Sequence, residues 1–189
     1  MISPVRPGIP MTGWLATANA TTTVQRGRFV KIIGAWAGDA PNTPSKARTG
    51  DLKLAVASRA DLITVSGLGT QVYPLDKYTF SDSGSDHGHD TIASGEVCIY
   101  WTGGGEYWTD EYNTTTITSS TTLGTRLYID ADGVLCASAA NPADWGTITA
   151  ELPVAVFLGM RGTPATTQWY APNGSTKVPW IRYRFIDRG

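Results

Sequence analysis

The sequence predicts an all-β protein, a small β-barrel or sandwich domain. Three observations carry that prediction. Gly 21 and Pro 11, with an excess of Thr, supply turn and strand residues at short intervals. Apolar residues alternate in short runs bounded by turn chemistry. No segment keeps a 3.6-residue period over the eleven or so residues that a helix requires. With 41% hydrophobic and 16% charged residues, a chain of 189 can bury a core as one domain. Seven Trp and eight Tyr suit β-packing or recognition surfaces.

Taken in order, residues 1–20 open with "MISPVRPGIPMTG" and read as an extended N-terminal arm. Each proline there biases its predecessor to extended geometry. Residues 21–189 read as a single β-rich domain. In 21–36, Phe29 and Ile33 share one face and Val30 and Ile32 the other, so part of this strand is expected to be buried on both sides. Gly27 marks a turn or bulge, and 37–51 has loop composition. Segment 52–67 reads as two strands around "SRAD", with a short helix over "LAVASRADL" as the alternative. "QVYPLDKYTF", 71–80, is a strand that Pro74 assigns to a sheet edge.

Further on, Val97, Ile99 and Trp101 alternate with Cys98 and Tyr100 before three glycines and "EYWTDEY". This predicts a hairpin over 97–112. Residues 114–122 are a strand edge or a loop. "RLYIDADGVLC" is a hairpin closed by "DADG". "NPADWG", 141–146, is a turn. An apolar strand follows within 147–162, with Pro153 at its start or at a bulge. At the end, Trp180, Arg182 and Arg184 face one way and Ile181, Tyr183 and Phe185 the other.

Sites for chemistry are few. "SDSGSDHGHD", 81–90, holds both histidines, and Asp86, His87, His89 and Asp90 are metal-competent. A His-x-His pair on a strand aims both rings to one side, but a third histidine is missing and the acids do not follow a calcium-loop pattern. The segment reads as an exposed loop, with an incidental metal or a catalytic site as alternatives. No Gly-x-Ser-x-Gly motif occurs, and "TGGGEYW" lacks the Lys-Ser/Thr of a phosphate loop. Cys98 and Cys136 lie in apolar runs and read as packed thiols, a disulfide being the alternative. No cofactor is expected. In "GEYWTDEY", Glu106, Asp110 and Glu111 with Tyr107, Trp108 and Tyr112 resemble the materials of a sugar site. On one strand, however, Glu106 and Asp110 would stand roughly 13 Å apart, too far for a glycosidase pair.

The net charge of −1 hides an asymmetry. Residues 1–48 carry six cations against Asp39 alone, and 161–189 carry five against Asp187 alone. The stretch between holds four cations and fourteen acids. Basic ends and an acidic middle can serve docking between subunits or onto a partner. The expected contacts are Arg6, Arg26, Arg28, Arg182 and Arg184. The basic clusters are too sparse for a nucleic-acid footprint, so no nucleic acid is expected. The opening lacks the pattern of a signal peptide and no run is long enough for a membrane helix, so no membrane partner is expected.

"LGTRLYIDADGVLCASAANPADWGTITAELPVAVFLGM" carries one further likeness. A strand, D-x-D-G, a returning strand, a variable loop and an apolar strand with glycine resemble the late part of small bacteriophage capsid decoration (cement) proteins. Gly124, Leu127, Asp130, Asp132, Gly133, Leu135, Pro153, Val154, Leu158 and Gly159 occupy the comparable places. "VQRGRFVKI", 24–32, is similar to their opening strand. The likeness covers about half of the chain and departs from the family at 81–90 and 97–112. It implies a β-barrel or β-tulip-like domain in a non-enzymatic virion protein on the capsid exterior, made in the host cytoplasm. It also implies the major capsid protein as partner and a homo-oligomer, trimer or dimer. The alternative is a phage tail or spike module, or a carbohydrate-binding one using the 106–112 aromatics.

Overall fold

Where their buried faces point sorts the strands of this chain into two bodies. The computed structural model describes residues 2–16, 23–38, 47–64, 70–77, 91–137, 150–161 and 179–188. The first body is a closed barrel of β2 (Ile9–Ala16), β5 (Leu52–Val56), β4 (Phe29–Ala35), β7 (Tyr73–Lys77) and β9 (Val97–Thr102), in that order around the wall. All its pairings are antiparallel except β2 with β5. The second is a six-stranded sheet of β1 (Ile2–Arg6), β10 (Gly105–Thr109), β15 (Trp180–Phe185), β14 (Ala155–Arg161), β11 (Arg126–Ile129) and β12 (Leu135–Cys136). Two small ribbons complete the set: β3 (Thr23–Gln25) with β8 (Thr91–Ala93), and β6 (Ile63–Thr64) with β13 (Ala150–Glu151).

Each body fills its own core. Leu15, Val30, Leu54, Leu75, Cys98 and Tyr100 fill the barrel interior. The other core lies between the barrel wall and the inner face of the sheet. Phe29 and Val30, adjacent on β4, enter different cores, which bears out the expectation of burial on both sides at this point. Aromatic rings make the seam. Phe29 stands 6.2 Å from Tyr183 and 6.0 Å from Phe185, and Trp101 stands 5.9 Å from Tyr107, which stacks on Tyr183 at 5.6 Å. Each such ring contributes roughly 1.5–3 kcal/mol through burial, with about 0.5–1.5 kcal/mol more per favourable pair.

The segment expected to be an extended arm outside the domain is extended but built into it, which is a correction of the boundary. Over 2–16 it forms one strand of each body: Ile2 is buried in the seam and Leu15 in the barrel. The prolines fit because of where their nitrogens point. Leu15 N–H donates to Glu96 O at 3.0 Å, so odd residues of β2 address β9. Pro10 therefore turns its nitrogen to the side where β5 has not yet begun, and its missing N–H costs no ladder bond.

The 97–112 hairpin is a second correction. β9 and β10 do not pair, because β9 belongs to the barrel and β10 to the sheet. Gly103, Gly104 and Gly105 have φ of 74°, 78° and 123°, a run of left-handed conformations that carries the chain from one body to the other. The return crossing, Pro7–Gly8, runs beside it. Gly8 N–H donates to the Tyr107 hydroxyl at 3.0 Å, and that hydroxyl donates to Gly104 O at 3.1 Å. A Cβ on Gly8 would lie 2.1 Å from Thr102 O, so only glycine passes here.

Pro74 is a third correction, since β7 is an inner barrel strand between β4 and β9. The ladder steps past the proline: Leu75 N–H donates to Arg28 O and Gly27 N–H to Leu75 O, each at 2.8 Å. Over 52–67 two strands flank a 3-10 turn at Arg59–Leu62, so the helical alternative shrinks to one turn. The 126–136 hairpin is as expected, with Tyr128 opposite Cys136, and its turn docks on the barrel where Phe29 N–H donates to Gly133 O at 2.8 Å. Within 114–122 the chain forms turns, not strand. The turn expected at 141–146 lies outside the described residues.

Candidate functional site

The inner face of the six-stranded sheet is apolar, and its outer face is built from the alternate residues. Ile181, Tyr183 and Phe185 point into the seam, so Trp180, Arg182 and Arg184 point away from it. The same parity turns Glu106 and Trp108 outward on β10, Arg126 on β11, and, beyond the Phe157/Gly159 bulge, Arg161 on β14. Register then aligns them. One transverse row reads Arg6, Glu106, Arg184, Val156, Arg126, and a second places Arg161 opposite Trp180. With strands about 4.8 Å apart, Arg6, Arg184 and Arg126 stand on every second strand, about 10 Å from one to the next.

Glu106 organises the middle of this face. Its Oε1 accepts from Arg184 Nη2 at 2.9 Å, and its Oε2 accepts from Arg182 Nη2. The hydrogen bonds from Arg184 and then Arg182 hold its carboxyl below the usual glutamate range, and burial opposes them more weakly. The two guanidiniums cover the carboxylate, yet the Arg184 side chain remains 60% exposed. Arg182 Nε is buried and has no hydrogen-bond partner among the described residues. Arg6, Arg126 and Arg161 are exposed and have no ion pair among the described residues. Trp108 and Trp180 are half-buried between the charges and belong to neither core.

Of the five arginines expected as contacts, the structure brings Arg6, Arg182 and Arg184 to this face. Arg26 and Arg28 lie away from this face. Arg26 Nε donates to Asp76 Oδ1 at 2.7 Å and its Nη2 to Ile2 O at 3.3 Å, inside the molecule. Arg28 turns to Glu111, 3.7 Å away. The chain's basic ends thus meet its acidic middle within one molecule, because folding sets β4 and β15 beside β7 and β10. Lys31 with Asp61 extends the pattern. Arg126 and Arg161, which complete the face, lie in strands read only for their apolar residues. The alternation "TRLYI" is visible in the sequence, but the side of the sheet follows from register.

The aromatic set at 106–112 divides. Tyr107 and Tyr112 are buried in the seam and Trp108 alone reaches the outer face, so the three do not form a common platform. Tyr112 donates to Pro179 O at 2.8 Å, and burial pushes its hydroxyl up to about 12. Asp110 is buried, and burial raises the Glu111 carboxyl against the pull of Arg28. Cys98 and Cys136 are free thiols and both are buried, as the packed reading expects; burial pushes the Cys98 thiol up to about 12. Asp86, His87, His89 and Asp90 lie outside the described residues. Among the described residues, no group of three or more His, Cys, Asp or Glu is placed to hold a metal ion.

No protein-family model, no curated protein and no solved structure matches this chain. Its fold is all-β with a closed five-stranded barrel. No helix among the described residues is long and apolar enough to cross a membrane.

Proposed function

We propose that this chain is a non-enzymatic virion protein that binds the outer surface of a phage capsid and clamps neighbouring subunits, acting as a homo-oligomer. The outer face of the six-stranded sheet carries the reading. Arg and Trp are the residues that dominate protein interfaces, and here they stand together on a rigid sheet instead of a loop. The segment with the family likeness lends support of a second kind. Its hairpin, β11 with β12, and its apolar strand β14 are neighbours in that same sheet. A cement protein needs little free energy per contact, since every copy adds to one shell.

The test is co-sedimentation of the purified protein with expanded empty shells of a major capsid protein from the same genome, where that genome encodes one. Saturable pelleting at a fixed number of copies per shell subunit is the expected result. No pelleting at low salt would end the reading. Deleting residues 1–13 is no test of docking, because β1 and most of β2 would go with them.

A further inference from the structure

We infer that the outer face of the six-stranded sheet recognises a protein surface that presents carboxylates, taken in the forks of Arg126, Arg161 and Arg184 and packed against Trp108 and Trp180. The inference rests on the docking reading above and names the chemistry of its partner.

Charge complementarity comes first. Among the described residues the face carries the guanidiniums of Arg6, Arg126, Arg161, Arg182 and Arg184 against one carboxylate, Glu106. An acidic occupant follows directly. Composition then separates a protein from other polyanions. All the outward cations are arginines, whose planar forks match carboxylates two bonds at a time. Both tryptophans are half-buried among them, where a flat partner packs but a flipped base would not stack freely. Glu106 ties down Arg182 and Arg184, so two forks are held in place before a partner arrives. In this arrangement Glu106 is a positioning residue.

The experiment measures binding of the full chain to three probes at matched ionic strength: the empty shells, fluorescein-labelled poly-L-glutamate, and an oligothymidylate of equal charge. Two paired variants accompany the parent chain, Arg126→Glu with Arg161→Glu and Arg126→Lys with Arg161→Lys. Both sites are exposed, and an unchanged urea midpoint confirms that each variant folds.

Poly-L-glutamate is expected to bind more tightly than the oligothymidylate. The glutamate pair is expected to weaken that binding about a hundredfold, and the lysine pair about three- to tenfold, because lysine keeps the charge and loses the fork. Tighter binding of the oligothymidylate would overturn the inference. So would poly-L-glutamate binding that the glutamate pair leaves intact, or a lysine pair equal to the parent chain. The shells separate the two claims. If shells fail to pellet while poly-L-glutamate behaves as expected, the capsid reading falls and the carboxylate face stands. If shells pellet equally with parent and variants, the capsid reading stands and this face is not the one used.

Discussion

Two arginine–carboxylate clusters in this molecule have the same chemistry and different settings. At the junction of the bodies, Arg26 and Asp76 are 7% and 3% exposed. The guanidinium holds β7 to the carbonyl of Ile2 on β1. On the sheet face, Glu106 is itself only 6% exposed, but the Arg182 and Arg184 side chains that cover it are 35% and 60% exposed. Their carboxyls shift in opposite directions. Burial pushes Asp76 up, and Arg26 draws it back only in part. Arg184 and Arg182 pull Glu106 down. What separates the two clusters is therefore the water around their guanidiniums. Desolvation makes the first costly to break and leaves the second cheap to rearrange.

Breaking the junction gives the largest expected effect. Asp76→Ala leaves the Arg26 guanidinium buried without its counter-charge and is expected to cost about 3–5 kcal/mol in urea unfolding. Replacing both residues by apolar ones of similar volume should cost far less. A small loss from the single change would show that water reaches Arg26 and that the contrast with the face is false. Next comes the crossing between the bodies. Gly8→Ala drives a methyl against Thr102 O and is expected to cost roughly 1–3 kcal/mol, read as a lower urea midpoint. Tyr107→Phe removes the hydroxyl that ties Gly8 to Gly104 and should cost about 1–2 kcal/mol by the same measurement.

The face itself should barely register in stability. Glu106→Gln is expected to leave the urea midpoint close to that of the parent chain while loosening Arg182 and Arg184. Its pH signature has a definite sign. A carboxyl whose folded value is depressed keeps its contribution above the ordinary glutamate range and loses it as pH falls through the depressed value. A carbon-13 titration of Glu106 should thus have its midpoint below that of free glutamate. A midpoint at or above free glutamate would remove the clamp. Asp76 runs the other way, its contribution fading as pH rises through its elevated value. Smallest of all, Cys98 is expected to resist thiol reagents in the folded protein and to react once urea opens the barrel.

Alternation made much of the fold legible. Ile181, Tyr183 and Phe185 are one buried face, the "DADG" hairpin pairs as its turn chemistry requires, and Phe29 with Val30 serves two cores. Three expectations failed for one common reason. The arm at 1–20, the edge strand at Pro74 and the hairpin at 97–112 were all inferred from prolines and glycines as local signals. Residues 7–8 and the glycines at 103–105 carry the crossings between barrel and sheet, where a Cβ on Gly8 would strike Thr102 O, whereas Pro74 lies inside a barrel strand whose ladder steps past it.

The sequence by itself determined that this chain is β-rich, which residues alternate toward a core, and that its charges are segregated along its length. Those properties follow from side-chain chemistry and a period of two, which act within a few residues. Tertiary structure alone decided which arginines face water. Arg26 and Arg184 look alike in the sequence. One is placed against Asp76 and the other beside Glu106 by strand register, and register depends on partners 50 and 78 residues away. A partner at that distance is chosen by the packing of whole faces, which no local pattern encodes.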